Sequence, residues 1–173
     1  MNILVVGCGS IGRRHIENFK KHGIDDISCV DTNQERLDIV IEKFGISKTY
    51  KNHKDAFNKE KYSGVVICTP TSMHTNIAID SARNKSHIFL EKPVADTLKN
   101  IDILEKLQKE KIFQIFIAYC HRFIPSVKRL KEIIDKNTYG RVCSINMSWE
   151  TFLPDWHVHE DYRSFYMAKK SMG

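Results

Sequence analysis

Short apolar runs alternate with amphipathic segments along the first 120 residues. The runs Ile3–Val6, Ile27–Val30, Val65–Cys68 and His87–Leu90 are four residues each. Such runs predict strands buried on both faces, as in a parallel sheet. Between them apolar residues recur at helical spacing, as in segment 33–45. Because the crossovers are right-handed, the pattern predicts an α/β fold with a Rossmann-type doubly wound parallel sheet.

The same pattern predicts further elements of this sheet. Helices are predicted at 10–21, 53–59 and 72–84, and from an N-cap at Asp96 to about Glu110. A weak strand is predicted near Thr49–Tyr50, and a last strand at Ile112–Tyr119.

The pattern changes after about residue 120. Pro125 begins a predicted helix that ends at Asn137 and Gly140. Residues 141–152 alternate apolar and polar, which predicts a half-buried strand.

We therefore predict two domains. Residues 1–121 form the Rossmann domain, and residues 122–173 begin a second, α+β domain. One helix and one strand cannot bury their own apolar faces, so this second domain is expected to be incomplete. Either the chain is a fragment or a partner covers the open face. An open sheet of this kind favours association, so a homo-oligomer is expected through the completed second domain.

Charge and cysteine content narrow the class of protein. The net charge is +6, but the lysines are scattered among acidic residues, which favours a solvated surface over a nucleic-acid interface. No apolar run is long enough to cross a membrane. The five cysteines are odd in number and widely spaced, which favours reduced thiols in a cytoplasmic protein over disulfides or a zinc site.

A glycine-rich motif directly follows the first predicted strand and opens a helix. In Gly7-Cys8-Gly9-Ser10-Ile11-Gly12, Gly7 permits a tight turn and Gly9 lets the backbone approach a diphosphate. Gly12 allows the helix to pack closely against the strand. The free amides around Ser10 and Ile11 then face the anion.

An acidic residue follows the second predicted strand, about 20 residues after the glycines, where a ribose-binding carboxylate is expected. Asp31 would accept hydrogen bonds from the adenosine ribose and repel a 2′-phosphate, which favours NAD over NADP. No arginine stands at Thr32 or Asn33. The alternative is a turn aspartate that caps the next helix.

A hydroxyl- and proline-containing turn follows the strand 65–68, at the sheet edge where ligands bind. It contains Thr69, Pro70 and His74. His74 is either a catalytic group or, more simply, a helix N-terminal residue whose ring makes a structural hydrogen bond.

The motif Glu91-Lys92-Pro93 also lies just past a strand end. A lysine at this place, near a nicotinamide, could orient a substrate hydroxyl or assist its proton transfer, and burial would lower its pKa. Pro93 stiffens the turn and is a candidate for a cis peptide bond. The alternative is a surface Glu–Lys pair of little energetic value.

Together these motifs resemble the glucose-fructose oxidoreductase/inositol dehydrogenase (Gfo/Idh/MocA) family of NAD(P)-dependent oxidoreductases. The resemblance rests on Gly7 to Gly12 with His15, Asp31, Thr69-Pro70 with His74, Glu91-Lys92-Pro93 and the segment Tyr119–Pro125. It implies hydride transfer between nicotinamide and a hydroxyl carbon of a sugar, cyclitol or sugar derivative. The alternative is a non-catalytic NAD-binding module.

The resemblance also implies roles for single residues. Lys92 would be the catalytic-site lysine, close to the substrate and the nicotinamide ribose. The residues implied to lie at the cofactor are Thr69, Pro70, His74, Glu91 and Arg122, the last near the domain junction.

The segment from Trp156 to Arg163 resembles one in family members linked to sugar metabolism, with a structural loop as the alternative reading. Family members continue beyond this point into a large antiparallel sheet and carry an acid-base histidine that the chain to Gly173 does not contain. His157 and His159 are not expected to replace it, and no metal is predicted.

Overall fold

The continuous apolar runs form a six-stranded parallel sheet in the computed structural model, which describes residues 1–110, 112–156, 161–164 and 168–172. Its strands are Ile3–Val6 (β1), Ile27–Val30 (β2), Lys48–Tyr50 (β3), Gly64–Ile67 (β4), His87–Leu90 (β5) and Ile115–Ile117 (β6). Their order is β3-β2-β1-β4-β5-β6. The direction in which strands are added reverses between β1 and β4. The prediction of a doubly wound parallel sheet is confirmed.

Helices cover both faces of this sheet. They are Ser10–Lys21 (α1), Gln34–Phe44 (α2), His53–Lys59 (α3), His74–Arg83 (α4) and Ile101–Lys109 (α5). Successive side chains of a strand point to opposite faces, so β1 contributes to two separate cores. Ile3 and Val5 pack with residues of α1 and α2, whereas Leu4 and Val6 pack with residues of α3, α4 and α5.

The predicted start of α5 is wrong. Asp96 does not cap this helix, which begins at Ile101 with Asn100 as the N-cap residue. Leu98 lies within the predicted helix, but its side chain is 89% exposed and is not part of the core. The buried face of α5 is centred on Leu104. The helix is therefore shorter than the apolar pattern in the sequence predicted.

The last strand is also shorter than predicted. Among the described strands β6 pairs with β5 alone, with Ile88 to Leu90 opposite Ile115 to Ile117. It is the edge of the sheet, where the ladder ends as soon as the neighbouring strand ends.

Residues Tyr119–Lys169 form a second unit. Its helices are Pro125–Asp135 (α6) and Leu153–Trp156 (α7), with 3₁₀ turns at Cys120–Phe123 and Tyr162–Ser164. Pro125 occupies the first turn of α6, as predicted.

The strand predicted at 141–152 is not formed. These residues have no regular secondary structure, and Met147 and Trp149 are 86% and 79% exposed. A strand requires a neighbouring strand for its backbone hydrogen bonds, and no described residue of this unit is in a strand. The alternation of apolar and polar residues therefore predicted a strand that does not form.

Among the helices that the structure describes, none is long and apolar enough to span a bilayer.

Candidate functional site: a dinucleotide cleft at the carboxyl edge of the sheet

The glycine-rich loop joins β1 to α1, and its three glycines meet different surroundings. Gly7 has φ +96°, and a Cβ there would lie 2.6 Å from the carbonyl oxygen of Cys68. A Cβ on Gly12 would overlap the carbonyl oxygen of Gly7. A Cβ on Gly9, in contrast, would have no atom of the described chain within 4 Å. Gly7 and Gly12 therefore allow the loop to fold, while Gly9 borders open space.

The N-terminus of α1 faces this open space, and no side chain among the described residues caps it. Gly9 is the N-cap residue and provides only its carbonyl, which accepts from the N–H of Arg13 at 3.0 Å. The first-turn amides of a helix have no acceptor within the helix. Ser10 and Ile11 are exposed, and their amides, with the helix dipole, can hold an anion such as a diphosphate.

The carboxylate of Asp31 lies directly against the glycine-rich loop. Its Oδ2 accepts from the backbone N–H of Cys8 at 2.8 Å, and its Oδ1 from that of Asn33 at 2.9 Å. The cap of α2 is the side chain of Asn33, which accepts from the N–H of Arg36. Asp31 thus shapes the loop and the turn before α2, and each oxygen has one further lone pair for a ribose hydroxyl.

The structure adds Arg36, which sequence reasoning missed. Its Nη1 lies 3.7 Å from Oδ2 of Asp31, and its side chain is 52% exposed. The prediction from the sequence considered only Thr32 and Asn33, whereas the first turn of α2 brings Arg36 back to the carboxylate. The sequence feature that could have identified Arg36 is an arginine within the first turn of the helix that follows the acidic residue.

The turn after β4 contains a buried polar atom without a partner. The hydroxyl oxygen of Thr69 is buried and has no hydrogen-bond partner among the described residues. A neighbouring Cys68 has its thiol pKa raised by burial. Pro70 precedes a 3₁₀ turn at Thr71–Met73, which leads into α4. An unpaired buried hydroxyl is costly and marks a place where a ligand group could complete the hydrogen bond.

His74 is buried behind this turn, with 1% of its surface exposed. Its Nδ1 lies 2.8 Å from the carbonyl oxygen of Pro93, and its Nε2 lies 2.9 Å from that of Thr69. The ring therefore connects the two loops that follow β4 and β5. It reaches a bound ligand only through those loops, which agrees with the structural alternative for this histidine.

Lys92 is exposed on the loop after β5, not buried. The Lys92–Pro93 peptide bond is cis. Glu91 does not form a surface pair with this lysine; its Oε1 lies 2.9 Å from Nε2 of His15, and its Oε2 accepts from the backbone N–H of Lys92 at 3.3 Å. Burial opposes the charge of Glu91, but His15 and the charge and N–H of Lys92 together hold its carboxyl pKa below the ordinary value.

Arg122 lies in the 3₁₀ turn Cys120–Phe123 of the second unit and is exposed. His157 and His159 lie outside the described residues, as does Glu160. Within the described ranges, no group of three or more His, Cys, Asp or Glu side chains is placed to hold a metal ion. All five cysteines are free thiols, and Cys8 and Cys29 are fully buried.

A doubly wound sheet with a glycine-rich loop at its strand-order reversal defines a dinucleotide-binding fold. Residues 1–119 match the Gfo/Idh/MocA family, an oxidoreductase family with an NAD-binding Rossmann fold. The chain belongs to this family, which confirms the predicted fold and the assignment of NAD as the family's cofactor.

Curated relatives agree with this assignment. The chain is 33% identical over 145 residues to myo-inositol 2-dehydrogenase of Thermotoga maritima, which covers 82% of the chain and 42% of the relative. It is 26% identical over 141 residues to inositol 2-dehydrogenase of Salmonella typhimurium, with 79% and 42% covered.

A solved structure gives the same result. The WlbA dehydrogenase of Bordetella pertussis, crystallised with NADH and UDP-GlcNAcA, matches with a TM-score of 0.73 and 26% identity over 81% of the chain and 43% of the WlbA chain. The present chain thus spans about two fifths of the length of its relatives.

Proposed function

We propose that this chain is the cofactor-binding part of an NAD-dependent oxidoreductase that transfers a hydride between nicotinamide and a hydroxyl carbon of a sugar, cyclitol or sugar derivative. The named activities of the inositol dehydrogenases and the sugar-nucleotide ligand of WlbA support this substrate class. In this proposal residues 1–121 form the NAD-binding domain, and 122–173 begin the substrate domain.

The residues of the cleft fit the dinucleotide. Gly9 and the amides of Ser10 and Ile11 would hold the diphosphate, and Asp31 would bind the adenosine ribose. The hydroxyl of Thr69, which has no hydrogen-bond partner in the described ranges, would donate to or accept from the cofactor. Bound NAD supplies the hydride acceptor, whereas the protein positions it against the substrate.

Lys92 is the proposed catalytic residue. Its backbone is held by Glu91 on one side, and the Pro93 carbonyl is held by His74 on the other. Its side chain is exposed and makes no ion pair within 4 Å with any described residue. It would orient the substrate hydroxyl or take its proton during hydride transfer. Arg122 would lie near the nicotinamide end, as the family resemblance implies.

The open space at Gly9 is the observation that carries this proposal, and it gives a specific test. Gly9 has φ −64° and ψ −168°, which an alanine can adopt. Gly9→Ala should therefore lower the free energy of unfolding by no more than about 1 kcal/mol, the cost of an alanine at an N-cap. It should raise the Kd for NADH about tenfold, since its methyl group enters the diphosphate position. Asn52→Ala, at the N-cap of α3, is the control that affects folding but not NADH.

Two further results decide the proposal. Titrations of the full-length protein should show tighter binding of NADH than of NADPH, and Lys92→Ala should lower turnover of a responsive sugar or cyclitol far more than NADH affinity. Unchanged NADH affinity in Gly9→Ala contradicts the proposed cleft. Dinucleotide binding with no turnover of any sugar or cyclitol would instead favour the non-catalytic module.

We also propose a cytoplasmic homo-oligomer. The free buried thiols Cys8 and Cys29 are consistent with a reducing compartment. The second unit exposes large apolar side chains, including Leu130 at 57% and Trp149 at 79%, which favour contact with further protein surface. Light scattering of the full-length protein tests the oligomer, and cell fractionation tests the location.

A further inference from the structure

A partly buried hydrogen bond between two side chains joins α1 to the loop that carries Lys92. Nε2 of His15 lies 2.9 Å from Oε1 of Glu91, and the two side chains are 19% and 18% exposed. His15 has no role in the proposed cleft contacts. The pair connects the helix whose N-terminus faces the diphosphate position with the loop of the proposed catalytic lysine.

The imidazole of His15 is held in a defined orientation. Its ring contacts the ring of Phe89 in β5 edge to face, with centroids 5.1 Å apart and planes at 66°. Gly12 and Ile16, which share the face of α1 that carries His15, are buried against the sheet. His15 therefore cannot reorient freely without losing both the aromatic contact and the bond to Glu91.

Glu91 continues this connection to Lys92. Its backbone N–H donates to the carbonyl of Ile67 at 3.0 Å, which fixes it to the sheet. Its second carboxylate oxygen accepts from the N–H of Lys92. A continuous path therefore runs from α1 through His15 and Glu91 to the backbone of Lys92.

We propose that His15 is a positioning residue, which acts through Glu91 to fix the Lys92 loop relative to the diphosphate-binding end of α1. The inference rests on the proposed function, because it requires the diphosphate to bind at that end. A hydrogen bond that only stabilises the fold would hold the loop equally well with or without ligand. A positioning pair should also transmit ligand binding at α1 to Lys92.

The test uses ADP, which carries a diphosphate but neither nicotinamide nor its ribose. ADP therefore affects the Lys92 loop only through the protein. In the full-length protein, ADP should slow hydrogen exchange of the Lys92 amide about fivefold, which is in the lower range of couplings between sites. In His15→Ala this slowing should be lost, although ADP still binds with its Kd changed less than about twofold. His15→Gln, which can donate an amide hydrogen bond to Glu91, should restore most of it.

The structure provides a matched control. His53 pairs with Asp80 at 2.9 Å, with exposures of 16% and 24%, and its ring meets Phe57 edge to face. His53→Ala removes a comparable pair outside this path and should keep the ADP effect on Lys92. Equal slowing in wild type and His15→Ala, or no slowing in the wild type, overturns the positioning role alone. Failure of both ADP and NADH to bind the wild type overturns the proposed function as well.

Discussion

Gly7, Gly9 and Gly12 lie within six residues, and each lacks a side chain for a different physical reason. Gly7 needs its positive φ and its approach to Cys68, and Gly12 needs its contact with the Gly7 carbonyl. These two are requirements of the fold. Gly9 has an ordinary backbone and open surroundings, so no clash with the described residues requires a glycine there, and the proposed cleft uses the space that it leaves.

Asp31 does not cap α2, although a helix cap was the alternative to its proposed ribose-binding role. It lies at the position expected for the ribose carboxylate, and it also organises the turn before α2 through Asn33. Spacing along the chain predicted the first role. The hydrogen bond to Cys8 joins residues 23 positions apart and depends on the pairing of β1 with β2, which local sequence does not specify.

Arg36 should moderate the discrimination against NADPH. In the proposed cleft Asp31 would repel a 2′-phosphate, while the guanidinium of Arg36, 3.7 Å from the Asp31 carboxylate, would attract it. Arg36→Ala is expected to raise the Kd for NADPH about fivefold, an effect of roughly 1 kcal/mol for an exposed charge. The Kd for NADH should change less than about twofold. Fluorescence titration at fixed salt measures both constants.

The control for this variant is Arg83→Ala, which removes another exposed arginine that lies near an aspartate of its own helix, Asp80. It should leave both constants unchanged. If Arg36→Ala raised the Kd for NADH and the Kd for NADPH by the same factor, Arg36 would support the loop and would not contact the 2′-phosphate.

At the scale of elements, burial on both faces made the central strands predictable. β1, β2, β4 and β5 coincide with short continuous apolar runs, since a strand between two helical layers needs no polar face. The same reasoning fails where tertiary contacts decide the boundary. The start of α5 and the absence of a strand at 141–152 depend on which apolar residues find a partner.

Substitutions at helix caps test whether a helix boundary predicted from the sequence is the one that the structure shows. The side chain of Asn33 caps α2, so Asn33→Ala should lower the free energy of unfolding by about 1 kcal/mol, while Asn33→Asp should retain most of it. Asp96→Ala should have almost no effect, because Asp96 is exposed and lies five residues before α5. Urea unfolding monitored by circular dichroism measures both. A loss of similar size for Asp96→Ala would reinstate it as the cap.

The pair between α1 and the loop after β5 should make stability depend on pH. The pKa of Glu91 is lowered in the folded chain from its ordinary 4.5. The contribution of the carboxylate is therefore present above pH 4.5 and is lost as the pH falls through the lowered folded value. Since both side chains are partly exposed, it should be on the order of 1 kcal/mol.

Unfolding of wild type and Glu91→Gln at a series of pH values measures this contribution. The difference in free energy should be full at pH 5 to 6 and shrink steadily toward acid, as the wild-type carboxylate becomes protonated. A difference that stays constant down to about pH 3 would show that the charge of Glu91 makes no contribution to folding.

At the scale of the whole molecule, the two units differ in how completely they bury their apolar residues. The first unit has a core on each face of the sheet. In the second unit, the apolar positions of α6 and of residues 141–152 are largely exposed. This contrast follows from the elements present, because α6 finds no second layer to pack against among the described residues of its unit.

Limited proteolysis of the 173-residue chain should report this contrast. Cleavage requires local opening, which costs least where backbone is exposed and outside regular structure. Chymotrypsin should therefore cut first after Tyr139, Trp149 or Phe152, which are 86%, 79% and 70% exposed. A fragment containing residues 1–118 should persist, and NADH should protect that fragment without slowing the first cuts. Mass spectrometry of the early products identifies the sites, and a first cut within β1 to β5 would show that the sheet is not the more stable unit.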